Sequence, residues 1–419
     1  MANLNTRAFK SDYLNIMQER GFIHQCTNFD ELDGLLAKGG VTAYQGIDAT
    51  ARSPHIGNLL PLTMLRWLHK CGHNVITLVG GGTTKVGDPS GKSELRQFRT
   101  ADEINDNIAS IKEALSGLFD YENRTRMVNN DDWLKDLNYI EFLRDYGRHF
   151  SVNRMLSMDS VKLRLEREQP LSFIEFNYMI LQAYDFVELY REYDCRLQVG
   201  GSDQWGNIVN GVELGRRTVN AELFGLTCPL LTTASGQKMG KTANGAVWLR
   251  DDMLPSYDYW QYWRNCEDAD VGRLLRLFTE LPLNEIAKLE ALKGAEINEA
   301  KKVLANEATK IIHGEDASKS AEETARKTFE EGKLGGDLPT HTVKEETLAL
   351  GIPVISLLKD AGLAKSNGDA RRLIQGGGAR INDEKVDDVD AHVTREMFNG
   401  KDTIKLSAGK KKHVMVKSA

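Results

Sequence analysis

A chain of 419 residues is long enough for two or three domains of ordinary size, and for a sizeable core without disulfide staples. With 41% hydrophobic and 27% charged residues it has a globular composition, which excludes collagen-like, disordered and disulfide-scaffold classes. The 54 Lys+Arg against 60 Asp+Glu give a net charge of −6, yet residues 351–419 hold 13 basic and 9 acidic side chains, +4, which leaves −10 for the rest. A basic C-terminal module on an acidic body suits a polyanion-binding appendage and equally a solvated charged tail.

No apolar run reaches the roughly 18 residues a membrane helix needs, so no membrane span is expected. The first ten residues lack the apolar core of a signal peptide, and Asp12 and Glu19 argue against a transit peptide. The five cysteines contain no CxxC pair, and the nine histidines are as scattered. That usage fits a reducing cytoplasm and predicts no tightly bound protein metal.

In chain order, strand-like and helix-like segments alternate through the first half, which predicts an α/β domain. Val41–Ile47 reads as a strand, followed by a turn at Ala51–Pro54 and a helix from about Asn58 to Lys70. Pro61 is tolerable in the first helical turn, which sets that start. Val75–Val79 is a short apolar strand stopped by Gly80, Gly81 and Gly82, and Leu197–Val199 is another, ending at Gly200 and Gly201. Ser256–Phe329 carries Leu, Ile and Ala at helical spacing with no strand candidate. Gly332–Thr340 reads as a linker, and a compact module resumes at Ile352.

Three segments are candidates for phosphate chemistry. Asp48 to Asn58 follows a strand and opens a helix whose free N–H groups and positive dipole end attract phosphate. There, Gly57 would let a flat base lie on the backbone, and His55 could donate to a phosphate gaining charge. Gly80 to Ser93 resembles a P-loop, but the required first glycine falls on Val86, so the spacing fails. Ser235 to Thr242 places Lys238 and Lys241 three apart between glycines, on what reads as a mobile loop able to close over a polyphosphate. Each segment also has a plain structural reading, as a turn or a solvated loop.

Phe173–Tyr190 reads as an amphipathic helix. At about 100° per residue, Gln182 lies about 40° and Asp185 about 20° from Tyr178. Phe176, Ile180, Ala183 and Val187 cluster opposite. The polar face is either solvent-exposed or lines a polar pocket.

The His55-Ile-Gly-Asn58 helix start, the Gly200-Gly-Ser-Asp203-Gln204-Trp205-Gly-Asn207 turn and the Lys238-Met-Gly-Lys241-Thr242 loop occur in one order. Together they resemble class I aminoacyl-tRNA synthetases. Tyr44-Gln-Gly-Ile-Asp48-Ala-Thr50, Gly87-Asp88-Pro-Ser-Gly-Lys92 and Tyr178-Met-Ile-Leu-Gln182-Ala-Tyr-Asp185-Phe are similar to the bacterial tyrosyl-tRNA synthetases in particular. The resemblance spans essentially the whole chain.

It implies a Rossmann-like catalytic domain over 1–230, with a helical insertion at about 100–190 used for dimerisation. An α-helical domain with the lysine loop would occupy 231–330, and a linker 331–350. It implies ATP as substrate, Mg2+ with the triphosphate, L-tyrosine, tRNA(Tyr), a homodimer and a cytoplasmic location. Tyr44 and Asp185 would hold the phenol hydroxyl of tyrosine, and Tyr178, Gln182 and Asp88 its ammonium group. Asp48, Gly57, Asn58, Gly201, Asp203 and Gln204 would lie along the adenylate, with Asp203 toward the ribose. Thr50, His55, Lys92, Arg96, Lys238, Lys241 and Thr242 would face the triphosphate.

Two departures stand out. Asn58 replaces the usual second histidine, so no cationic role is open there. Gly240 and Thr242 stand where the general pattern has two serines. The segment 351–419 resembles the alpha-L RNA-binding motif, a small helix–helix–strand fold, and Lys365, Arg371 and Arg372 would face RNA phosphates. The rivals are a tryptophanyl-tRNA synthetase, which the polar Tyr44 and Asp185 disfavour, and a non-catalytic RNA-binding protein, which the intact Lys238, Lys241 and Asp203 disfavour.

Overall fold

The computed structural model describes residues 7–90, 99–242, 245–329, 338–398, 402–409 and 412–418. Two units are distinguished, one of residues 1–254 and 262–314, the other of 255–261 and 315–419.

The first unit is built on a six-stranded sheet: β1 (Gln25–Cys26), β2 (Thr42–Asp48), β3 (Asn74–Gly80), β4 (Thr125–Asn129), β5 (Cys195–Gly201) and β6 (Phe224–Cys228). Their order is β1-β6-β5-β2-β3-β4, and every pairing is parallel except β1 with β6. Each residue of β3 after Asn74 is buried, as a parallel strand covered on both faces requires. From β2 the chain steps outward through β3 to β4, then returns to β5 on the other side of β2. The carboxyl ends of β2 and β5 therefore flank a topological switch point, where open α/β sheets bind ligands.

The ladder widens that crevice. β2 pairs with β3 along its whole length, from Thr42↔Asn74 to Asp48↔Gly80. It pairs with β5 only at Thr42, Ala43 and Tyr44, and even there the register shifts after Thr42. Beyond Tyr44 the two strands part.

Helix α1 (Ile56–Lys70) joins β2 to β3. It begins two residues earlier than the position of Pro61 predicts. The Gly57 amide donates to His55 Nδ1 at 3.0 Å, and the His55 amide donates to Asn58 Oδ1 at 3.1 Å. This reciprocal cap satisfies two amides at the helix start. Pro61 consequently sits in the second turn, where it offers no N–H to the Gly57 carbonyl. Gly57 is exposed, so solvent can serve that carbonyl.

Helix α2 (Phe173–Tyr193) precedes β5, and α3 (Trp205–Val219) joins β5 to β6. Ser172 and Glu175 form a reciprocal cap at the start of α2, with bonds of 3.0 and 3.3 Å. A buried ion pair, Arg164 to Glu175 at 3.1 Å, ties that start to the preceding helix Asp159–Glu166. Tyr44, Ile76, Phe186 and Leu189 share the core between sheet and α2.

Residues 262–314 are helical as predicted, with Val271–Phe278 and Leu283–Glu290 followed by the first part of Ile297–Phe329. That last helix is interrupted at Gly314, whose φ of 87° and ψ of 170° no helix accommodates. The lysine segment 231–242 and the helices of residues 262–314 lie in the same unit as the sheet.

In the second unit, residues 340–350 are not linker. Thr340–Val343 forms a strand parallel to Lys412–Ser418, and Glu345–Leu350 is a helix. The alternation of polar and β-branched residues in Thr-His-Thr-Val suits such an edge strand, though no periodicity in four residues announces it. Residues 330–337 lie outside the described residues. Helices Val354–Asp360 and Asn367–Gln375 lead into a five-stranded sheet with Ala379–Ile381, Glu384–Lys385 and Thr403–Ala408. Asn382 and Asp383, at φ 48° and 70°, make the two-residue turn that hairpins of this twist favour. Leu357, Leu358, Ile374, Phe398, Ile404 and Leu406 fill its core.

Candidate active site

Parallel strands all run into loops at the same end of the sheet, and at the carboxyl ends of β2 and β5 hydrogen bonds join Asp48 to Tyr178 and Asp88 to Gln204. Asp48 closes β2. Its Oδ1 accepts from Thr83 Oγ1 at 2.8 Å and its Oδ2 from the Tyr178 hydroxyl at 3.2 Å. Gly80 closes β3, and a Cβ there would lie 2.3 Å from Asp48 Oδ1 and 2.4 Å from Thr83 Oγ1. Only glycine leaves that carboxylate its place.

The polar stripe of α2 faces inward. Tyr178 and Asp185 are buried and Gln182 is half-buried. Asp185 accepts from Trp133 Nε1 at 2.8 Å and from Asn130 Nδ2 at 2.9 Å. Burial pushes its carboxyl up to about 7 against those two hydrogen bonds, and Asp48 and Glu188 push the same way. Tyr44 is fully buried, packs edge-on against Phe186 at 5.1 Å, and has no hydrogen-bond partner for its hydroxyl among the described residues. Burial first, then the charge of Asp185, holds its hydroxyl well above the usual tyrosine range. It is therefore a neutral O–H donor beside an acceptor. Gln198 pairs in register with Tyr44, and its Oε1 is likewise buried and unpartnered among the described residues.

An amide chain crosses the crevice. Gln204 Nε2 donates to Asp88 Oδ2 at 2.8 Å, while Asn207 Nδ2 reaches Gln204 Oε1 at 3.2 Å and Gln182 Oε1 at 3.0 Å. This joins Asp88, Gln204 and Gln182 from three elements. Asp203 is exposed beside them, and a Cβ at Gly201 would lie 2.6 Å from its Oδ1. Its carboxyl is raised by partial desolvation and by Asp88, with Lys238 opposing.

At the mouth of α1, His55 Nδ1 accepts from the backbone, so the neutral ring carries its proton on Nε2. Gly57 has a second role beyond an open surface for a base: a Cβ there would meet the His55 ring at 2.8 Å. The Thr50 amide turns back to the Asp48 carbonyl at 2.8 Å. The lysine segment folds as a hairpin: Thr233 N bonds Gln237 O at 2.7 Å and Met239 N bonds Leu231 O at 2.9 Å. Lys238 is exposed on it, and Lys241–Thr242 pair with Gly245–Ala246. The amides of Ile56 and Val247 donate to Val247 O and Gly240 O, both at 3.0 Å, so one strip binds hairpin to helix start.

Lys92 and Arg96 lie outside the described residues. Lys365, Arg371 and Arg372 are exposed on the second unit, where Arg372 pairs with Asp369 at 3.2 Å. Sequence reasoning missed Thr83, Asn130, Trp133, Asn207 and Gln198. Asn207 stood inside a quoted motif and Asn130 follows β4, but neither position points to a partner. Among the described residues no group of three or more His, Cys, Asp or Glu is placed to hold a metal ion, and no helix is long and apolar enough to cross a membrane.

Two family profiles match the chain: the class I tRNA synthetases (W and Y) over residues 36–330, and the C-terminal domain of tyrosine–tRNA ligases over 329–416. The tyrosine–tRNA ligase of Bradyrhizobium diazoefficiens is 60% identical, over 98% of this chain and 100% of its own length. That of Rhodospirillum rubrum is 59% identical, over 97% and 98%. A C-terminally truncated mitochondrial tyrosyl-tRNA synthetase of Aspergillus nidulans superposes with a TM-score of 0.67 at 33% identity, over 76% of this chain and 94% of that one. A tryptophanyl-tRNA synthetase of Encephalitozoon cuniculi, at 13% identity and a TM-score of 0.54 over 74% and 91%, shares the fold.

The Asp185 carboxyl gives a test by pH. An unfolded aspartate ionises near about 4, so between about pH 4 and 7 the folded chain holds one proton more. Stability from this group is complete below about pH 4 and falls as pH rises through 7, by up to about 1.4 kcal/mol per unit. Asp185→Asn cannot titrate there. Its stability relative to the unchanged chain should rise over about pH 5 to 7, read by urea unfolding at several pH values. Parallel stability curves would return Asp185 to the ordinary carboxylate range.

Proposed function

The chain belongs to the class I tRNA synthetases of the tryptophan and tyrosine type and among them to the tyrosine–tRNA ligases, and we propose that the crevice between β2 and β5 is where it joins tyrosine to ATP. The observation that carries this is the buried Tyr44 hydroxyl, a donor without a partner among the described residues, within the field of the Asp185 carboxyl. A phenol hydroxyl can accept from one and donate to the other. An indole cannot accept, so it would leave Tyr44 unsatisfied. This supports tyrosine over tryptophan independently of the relatives' names.

In this reading Tyr178, Gln182 and Asp88 receive the ammonium group, and the amide chain through Asn207 and Gln204 fixes their spacing. Asp48, Gly57, Asn58, Gly201, Asp203 and Gln204 run along the adenylate. A tyrosine carboxylate oxygen attacks the α-phosphorus, the bond to the bridging oxygen breaks, and pyrophosphate leaves. His55 Nε2–H, Thr50, Lys238, Lys241 and Thr242, with Lys92 and Arg96, oppose the charge that builds on the phosphates. Such chemistry needs positioning and fixed dipoles more than a covalent nucleophile. Mg2+ arrives with the triphosphate. A ribose hydroxyl of the tRNA 3′ end then attacks the tyrosyl carbonyl, and AMP leaves. Lys365, Arg371 and Arg372, exposed on the second unit, hold tRNA phosphates. A cytoplasmic setting fits both substrates and the unpaired cysteines.

Asp185→Ala is expected to lower kcat/KM for tyrosine by roughly 10- to 100-fold while leaving phenylalanine nearly unchanged, since the phenol loses its buried acceptor. Pyrophosphate exchange with both amino acids measures this, and equal losses for the two would remove Asp185 from the phenol site.

The insertion also exposes Tyr139, Ile140, Val152, Leu156, Leu165 and Phe173, with Ile140 at 71% and Phe173 at 72%. So much apolar surface in one segment suits a second copy of the chain. Sedimentation equilibrium should give twice the chain mass, and Ile140→Asp with Val152→Asp should give single chains. A single-chain mass for the unchanged protein would remove the homodimer.

A chain ending at Phe329 should keep pyrophosphate exchange and charge tRNA poorly, because the activating residues all lie between Tyr44 and Thr242 and the removed piece carries the basic surface. Both activities are measured on one preparation. Undiminished charging at low tRNA concentration would take the C-terminal unit out of tRNA binding.

A further inference from the structure

The lysine hairpin is gripped at its root by residues that the reaction scheme does not use. Asp270 is buried. Its Oδ2 accepts from the Ala234 amide at 3.0 Å, and its Oδ1 accepts from Arg273 Nη2 at 2.9 Å. The same Arg273 nitrogen donates to the Thr232 carbonyl. Glu267 Oε1 accepts from Ser235 Oγ at 2.9 Å. All these contacts fall on one leg of the hairpin, 232–235.

That leg is coupled to the one bearing the lysine. Thr232 and Lys238 form a β-bridge, and the bonds Thr233 N to Gln237 O, Gly236 N to Thr233 O and Met239 N to Leu231 O complete the hairpin. On its other side, Gly240 is tied through Val247 to Ile56 at the start of α1. Lys238 therefore rides on a short hydrogen-bonded hairpin that contacts two neighbours, the signature helix and the segment Glu267–Arg273. The latter is itself fixed by an Asp268–Lys301 ion pair at 2.5 Å. A hairpin that needed only to close has its own backbone bonds for that. Burying a carboxylate at its root is costly unless it is paired, and here both partners of the carboxylate also fix the hairpin, by the Ala234 amide and by the arginine on Thr232.

We propose that Asp270, Arg273 and Glu267 are positioning residues for adenylate formation, setting where Lys238 meets the triphosphate. The proposal rests on the reading of Lys238 as a triphosphate-facing group. It assigns a role to a segment outside the crevice, and that role is to act through the lysine rather than on substrate.

The experiment is single-turnover tyrosyl-adenylate formation, with equilibrium tyrosine binding alongside, for Lys238→Ala, Asp270→Asn, Glu267→Ala and each double with Lys238→Ala. Displacing a reacting group by about 1 Å can cost roughly 100-fold in rate. Asp270→Asn should slow activation by up to about that factor and Glu267→Ala by less, with tyrosine binding unchanged. Neither should slow the chain further once Lys238 is alanine. A slow Lys238→Ala beside full-speed Asp270→Asn and Glu267→Ala overturns the proposal and leaves the lysine reading standing. Losses that multiply in the doubles overturn it as well, since the segment then acts elsewhere. Full speed in Lys238→Ala removes the lysine reading and the proposal with it. Should Asp270→Asn lose tyrosine binding through misfolding, the exposed Glu267 decides, because its carboxylate holds the hairpin through the Ser235 hydroxyl and is not buried in the core.

Discussion

The site depends on a failure of pairing. β2 is the strand both halves of the sheet share, and it hydrogen-bonds β3 to its last residue but β5 only as far as Tyr44. Had the β2–β5 ladder continued, backbone would fill the space between Asp48 and Gly201. Instead the parting strands leave an opening at their carboxyl ends, and α2 and α3 pack where they can line it. Sheet twist accumulates along paired strands, so a ladder that stops early is an economical way to open a crevice without a break in the core.

Inside that opening, polar groups are satisfied in a graded way. Asp48, Asp88 and Gln182 already have partners within the chain. Asp185 has two donors and still carries a raised pKa, because burial outweighs them. Tyr44 and Gln198 have buried atoms without partners among the described residues. Buried polar atoms of this kind cost stability unless a partner reaches them. The contrast separates atoms already held within the chain from the Tyr44 hydroxyl and Gln198 Oε1, which have no partner among the described residues.

The same economy appears at the rim. A strip of backbone from Val247 joins the cap of α1 to the lysine hairpin, and the hairpin's far leg is held by the Asp270–Arg273 pair. His55 and Lys238 are 183 residues apart in sequence, yet their backbones share one hydrogen-bonded path. Phosphate chemistry by positioning requires that kind of shared frame.

Local periods are legible in the order of residues alone. Alternation and apolar runs located β2, β3 and β5, and the 3.6-residue period put Tyr178, Gln182 and Asp185 on one face of α2. The ordered motifs then pointed to the family and to the polar face as a pocket lining. These are properties of neighbouring residues, so a linear reading reaches them. The remaining contacts exist only in the folded chain. Trp133, Asn130 and Thr83 come to Asp185 and Asp48 across 35 to 55 residues of chain, and no local pattern records such a meeting. The start of α1 was set by a cap between His55 and Asn58 that outweighs the usual place of proline. Thr340–Val343 became a strand only because Lys412–Ser418 offers an open edge. Short strands and single polar contacts draw their free energy from partners that are distant in sequence, and those partners are fixed only when the chain folds.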